Sequence, residues 1–156
     1  MSYNNLRIGR ASLVGQIYLV TAVTYDRAPL FDTLTLGRIV VGTMRQADSE
    51  ALSGTIAFVV MPDHVHWLFS LGDNYPLSKV INLFKGRTAR TINQCRERSG
   101  QVWQPSFHDH AVRDAESLNS IVRYIVMNPV RAKIVENIGD YSLWDCVGMP
   151  LGLYIL

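Results

Sequence analysis

The 156 residues hold only two cysteines, Cys95 and Cys146, and no C-x-x-C spacing. No disulfide framework or cysteine zinc site can be built from them, so a reducing compartment is the simplest setting. No apolar run approaches the ~20 residues that a membrane helix needs, and the start of the chain has no signal-peptide pattern. The expectation is a cytoplasmic protein with no membrane contact. Repeats, low-complexity tracts and internal linkers are lacking too. Charge is scarce, at 18% against 48% apolar residues, which describes a globular chain. At this length it makes one domain, 1–156. The apolar tail VGMPLGLYIL is short and broken by Pro150, so it is expected to pack on that domain.

Acidic residues are absent before Asp26, which leaves Arg7 and Arg10 as a short basic N-terminal arm. From Lys79 to Arg98 six basic residues (Lys79, Lys85, Arg87, Arg90, Arg96, Arg98) face one acid, Glu97. Such an excess suits a phosphate backbone, and it equally suits a solvated helix face.

Periodicity supplies the elements. GQIYLVTAVTYD reads as a first strand, and TLTLGRIVVGTMRQADSEAL as a helix with Leu36, Ile39, Val40 and Met44 on one side. GTIAFVVM and HVHWLFSL form a hairpin across the PDHV turn. A second helix, 76–95, carries the stripe Leu77, Val80, Ile81, Phe84, Ile92 and Cys95. PSFHDHAVR is a candidate fourth strand, and 114–128 a third helix with Asp114 as its N-cap. The order β-α-β-β-α-β plus a helix predicts an α+β, ferredoxin-like, four-stranded antiparallel sheet.

Within the third strand, His64 and His66 are one residue apart. Side chains alternate along a strand, so both project from one face, about 6.5–7 Å apart, opposite Val65, Trp67, Phe69 and Leu71. That face is expected to be the non-core one. Two imidazoles so placed can share a divalent ion, and such a site usually recruits a third oxygen or nitrogen ligand. By itself the H-x-H pair is also ordinary polar surface. A histidine-triad hydrolase is excluded, because its third alternating position is Leu68. On the third helix, Leu118, Ile121, Val122 and Ile125 form the apolar stripe. Tyr124 falls at its flank and Asn128 one turn further on, where Pro129 ends or bends the helix. His108 and His110 share a face of the fourth strand, where a structural role is the simpler reading.

MPDHVHWLF, followed about sixty residues later by YIVMNPVRAKIV, resembles the REP-associated tyrosine transposases, relatives of the single-tyrosine transposases within the HUH nuclease superfamily. LRIGRAS, IYLVTAVTYDRAPLF, PLSKVINLFKGRTAR, WQPSFHDHAVRD and DYSLWD are similar to that family too, in its order. The likeness spans nearly the whole chain, and the tail after Trp144 is shorter than many in the family. It implies an HUH nuclease fold with His64 and His66 holding Mg²⁺ or Mn²⁺. Asn128 falls where relatives place a polar third ligand, usually a glutamine, and Tyr124 takes the nucleophile's position. Zn²⁺ or Ni²⁺ is expected to bind without supporting turnover. The implied substrate is single-stranded DNA beside a palindromic hairpin, cleaved and rejoined through a 5′-phosphotyrosine. Arg7, Arg10, Lys85 and Arg87 are expected to grip phosphates, exposed aromatics to stack on unpaired bases, and the protein to act near a bacterial nucleoid as monomer or homodimer. Two other readings stay open: a hairpin DNA- or RNA-binding regulator that does not cut, and a metal-dependent phosphodiesterase that uses water.

Overall fold

Alternation along β3 (His64–Leu71) sends Val65, Trp67, Phe69 and Leu71 to one side of a sheet and His64, His66 and Leu68 to the other. The computed structural model describes residues 15–147. Among them, β3 lies at the centre of five antiparallel strands in the order β4-β1-β3-β2-β5. The others are β1 (Ile17–Val23), β2 (Ser53–Val60), β4 (His108–Val112) and β5 (Trp144–Cys146). The helices are α1 (Leu34–Ser49), α2 (Leu77–Arg96), α3 (Ala115–Val126) and the short α4 (Asn128–Arg131). The α+β, ferredoxin-like plan is present, with β5 as a fifth strand on the edge of β2 where four strands were expected. Three residues are too few to show a period in the sequence.

α1 and α2 cover the face that carries Trp67. Leu36, Val40 and Met44 from α1 and Val80, Ile81, Phe84 and Ile92 from α2 bury against Tyr18, Val20, Trp67 and Phe69. Trp67 donates its Nε1–H to Thr55 Oγ1 at 3.0 Å, and Trp103 donates to Thr88 Oγ1 at 2.8 Å, so both indoles bury satisfied. Neither Trp67 nor Trp103 is open to a nucleic-acid base.

α3 covers the other face. Its Val122, Ile125 and Val126 pack on Ala57, Val59 and Leu68. The histidine face is therefore not the solvent face expected for it; a second core begins at Leu68. Asp114 caps α3 as predicted, its Oδ1 accepting from Ser117 N–H at 2.7 Å. The helix stops at Val126, and Asn128 opens α4 with Pro129 in its first turn, a position that needs no N–H donor. No described helix is long and apolar enough to cross a membrane. Arg7, Arg10 and the tail beyond Val147 lie outside the described residues.

Candidate active site

The site is built on one row of the sheet. Thr21 on β1 pairs with His66 on β3, and Val23 with His64. His66 is only 7% exposed, and its Nδ1 lies 2.8 Å from Thr21 Oγ1. His64 is half-buried, with Nδ1 2.8 Å from Asp63 Oδ1. The two rings stand nearly perpendicular, centroids 5.0 Å apart. Each Nδ1 thus has a fixed partner, and Nε2 is the nitrogen left on each ring for a ligand. A hydrogen bond to the far nitrogen is how proteins orient a metal-binding imidazole.

Burial above all, with the His64 and Arg131 charges adding to it, pushes the His66 imidazole down to about 4. His66 is accordingly neutral at physiological pH, which is the ligating form. The Asp63 carboxyl is partly buried, which pushes it up. Its bonds to His64 and Arg27 outweigh this and hold it below the usual carboxylate range.

Tyr124 comes to the same place from α3. Its ring meets His66 with centroids 5.7 Å apart, and it remains 49% exposed. Arg131, seven residues on, folds back over it. The guanidinium carbon lies 4.1 Å from the ring centroid, and Nη2 donates to the Tyr124 carbonyl at 2.7 Å. Among the described tyrosines only Tyr124 lies against a histidine. Tyr141 is excluded as a nucleophile: its hydroxyl donates to Val60 O, and burial, then Asp32, raise it to about 12. Tyr25 and Tyr75 are the other exposed aromatics among the described residues.

Asn128 is half-buried at the start of α4, and its side chain makes no hydrogen bond to either histidine. No group of three His, Cys, Asp or Glu side chains gathers among the described residues. Two imidazoles with free Nε2 atoms suit a divalent ion whose other ligands are an amide, a phosphate oxygen or water. The residues fit the ion on that footing.

Lys85 and Arg87 are elsewhere. Both sit on α2, on the far side of the sheet from the histidines. Lys85 Nζ donates to Gln104 O at 2.7 Å and Ser106 O at 2.8 Å, and burial lowers its pKa. Arg87 grips Glu50 with both nitrogens, at 2.6 and 3.2 Å. Lys85 and Arg87 are thus both engaged by partners within the molecule. His108 lies across Thr21 from His66 in the same row, exposed at the edge of the site. Thr21, Asp63, Arg27 and Arg131 were not singled out from the sequence. Only Arg131 left a signal there, its i+7 spacing from Tyr124.

Residues 14–128 match the family model for IS200-like transposases. A protein of Haemophilus influenzae with the provisional name REP-associated tyrosine transposase is 28% identical over 138 residues, 81% of this chain and 77% of that one. The REP-associated tyrosine transposase of Escherichia coli is 32% identical over 89 residues, 54% of this chain and 49% of the relative's length. The solved structure of a REP-associated tyrosine transposase bound to a REP hairpin shares the fold, with TM-score 0.71 and 21% identity over 85% of this chain and 78% of that one. A provisionally named transposase from Deinococcus radiodurans superposes with TM-score 0.51 at 21% identity, covering 72% of this chain and 91% of its own.

Proposed function

The chain belongs to the family of IS200-like transposases, and we propose that it cuts and rejoins single-stranded DNA beside a palindromic hairpin, with Tyr124 as nucleophile. The observation that carries this reading is the contact of the Tyr124 ring with His66, beside His64.

Tyr124 Oη attacks the scissile phosphorus. The bond to the 3′-oxygen breaks, the strand leaves with a free 3′-OH, and the 5′-phosphate stays on tyrosine. The phenol proton passes to solvent, and solvent supplies the proton that the leaving oxygen takes up. The phosphotyrosine conserves the bond energy, so rejoining needs no nucleotide cofactor. His64 and His66 would hold Mg²⁺ or Mn²⁺ through Nε2, with Asn128 as a third ligand. When bound, the ion supplies Lewis-acid polarisation and orientation of the phosphate. Arg131 stacks over the tyrosine ring and restricts its orientation. The hairpin-bound relative supports a REP-type hairpin as partner. Arg7 and Arg10 remain the proposed phosphate contacts from the N-terminal arm. Tyr25 and Tyr75 are exposed surfaces on which unpaired bases can stack.

The test is to incubate the protein with a hairpin oligonucleotide and Mn²⁺, resolve it on a denaturing gel and map any adduct by mass spectrometry. Wild type is expected to form an adduct on Tyr124. Tyr124→Phe removes one oxygen from a half-exposed side chain, so stability should stay within about 0.5 kcal/mol and hairpin affinity should persist while the adduct disappears. Hairpin binding with neither adduct nor cleavage in wild type would establish a regulator that does not cut. Cleavage without an adduct would point to attack by water.

A further inference from the structure

Resting on the metal reading above, we propose that Arg27 and Asp63 are positioning residues that fix the orientation and tautomer of His64, so that its Nε2 faces the divalent ion. Asp63 ends the turn before β3, and its Oδ1 lies 2.8 Å from His64 Nδ1. A carboxylate only accepts, so the proton between them sits on Nδ1 and the lone pair is on Nε2. The second oxygen, Oδ2, accepts from Arg27 Nη1 at 3.2 Å. Each oxygen therefore has one partner, and the plane of the carboxylate is set from both sides.

The backbone holds Asp63 in place independently of its side chain. Its carbonyl accepts from Thr24 N–H at 2.9 Å and from the Thr24 hydroxyl at 3.0 Å, and Thr24 is fully buried. Arg27 reaches the carboxylate from a strained turn. Asp26 and Arg27 have φ of 57° and 49°, the left-handed region that residues other than glycine disfavour. Two such residues in succession persist only where the surroundings hold them, and strain of this kind concentrates at functional sites. Here Tyr25 N–H donates to Val102 O at 2.8 Å and Phe31 N–H to Pro62 O at 3.0 Å, pinning the turn at both ends.

Stability does not account for the arrangement. The Arg27 side chain is 65% exposed, and an ion pair that open adds little. What the pair does have is direction: it terminates on the histidine. His66, the buried ring, is held by the neutral Thr21 hydroxyl. His64, the more open ring, is held by an ion-paired carboxylate, which fixes the ring and so aims its outer nitrogen.

Two measurements on the DNA-free protein test this. Long-range ¹H–¹⁵N spectra of the metal-free protein should show His64 as the Nδ1–H tautomer, and Asp63→Ala should lose that preference. Calorimetric titration with MnCl₂ should show binding weakened about 10–100-fold in Asp63→Ala. Asp63→Asn keeps an acceptor oxygen and should retain the tautomer with a smaller loss. Arg27→Ala should lose less than Asp63→Ala, and Arg27→Lys should recover part of that loss. Circular dichroism establishes that each variant is folded. A wild-type His64 carrying its proton on Nε2 would overturn the proposal. So would a folded Asp63→Ala protein with wild-type tautomer and Mn²⁺ affinity. Equal Mn²⁺ binding by wild type and His64→Ala would instead sink the metal reading, and the tautomer spectra would still decide whether Asp63 sets the ring.

Discussion

Acid should destabilise this protein through His66 in a window that its burial defines. The imidazole falls from 6.5 to about 4, chiefly by desolvation and then by the nearby His64 and Arg131 charges. A histidine with a depressed folded-state pKa takes up its proton more readily when the chain is unfolded. Stability is therefore complete above about pH 6.5 and is lost as pH falls from there toward 4. At about 1.36 kcal/mol per pH unit, the full window is worth roughly 3 kcal/mol, and by pH 5 about 2 kcal/mol is gone. Since His66 is 7% exposed, little of this is screened by solvent. In a domain of this size, about 2 kcal/mol corresponds to a fall in Tm of roughly 4–8 °C. The assay is urea unfolding in EDTA at pH 7.0, 6.0, 5.0 and 4.5, for wild type and for His66→Gln, which keeps an amide for Thr21 but cannot titrate. The difference between the two should carry the loss. Arg131→Gln removes one positive neighbour, so it should raise the folded-state pKa of His66 and make the loss of stability in acid smaller. Asp63, whose carboxyl is held low, destabilises only below its ordinary range, so its effect falls outside the window. Parallel loss of stability in wild type and His66→Gln would refute the picture of a buried, neutral imidazole at the site.

Thr21→Val keeps a β-branched strand residue but leaves Nδ1 of a buried ring without its partner, which should cost about 1–3 kcal/mol by urea unfolding and weaken Mn²⁺ binding measured by calorimetry. Unchanged values would mean that the hydroxyl does not hold His66. Lys85→Met should likewise lower stability by about 1–3 kcal/mol, because two carbonyls lose their donor. Its hairpin affinity should keep the wild-type salt slope; a slope shallower by about 0.7–0.9 would show instead that Lys85 contacts phosphate.

Much of the fold was legible because its long elements carry clear periods. The alternation in HVHWLFSL and the stripes on α1, α2 and α3 locate the three helices and the central strands to within a few residues. The histidine face was misjudged for a physical reason that the sequence itself contains. α3 has an apolar stripe of its own, and with α1 and α2 occupying one face of the sheet, that stripe had to be buried against the other. One core could not serve three amphipathic helices on a single sheet of this width. β5 and α4, at three and four residues, are too short to show any period at all.

The candidate site divides along the same line between local and non-local information. His64 and His66 are neighbours because the strand period is two, and Tyr124 lies at the flank of its helix because the helical period is 3.6. Both facts need only a few adjacent letters. Thr21 is 45 residues from His66, and only strand register brings it there. Arg131 stands two turns beyond Tyr124, but Pro129 lies between and removes the assurance that the helix continues. Lys85 and Arg87, expected from the sequence as phosphate contacts, show the converse. Their positive charge is visible in the letters, while the Gln104 and Ser106 carbonyls and the Glu50 carboxylate that occupy them are supplied by packing. Sequence thus shows which groups can do chemistry, and tertiary pairing decides which of them are left to do it. On the histidine face, every hydrogen-bond partner found for His64, His66 and Tyr124 binds an atom that the proposed chemistry does not need. Nδ1 is held on each ring and the backbone carbonyl on the tyrosine, which leaves both Nε2 atoms for the proposed ion and the phenol oxygen for the proposed attack.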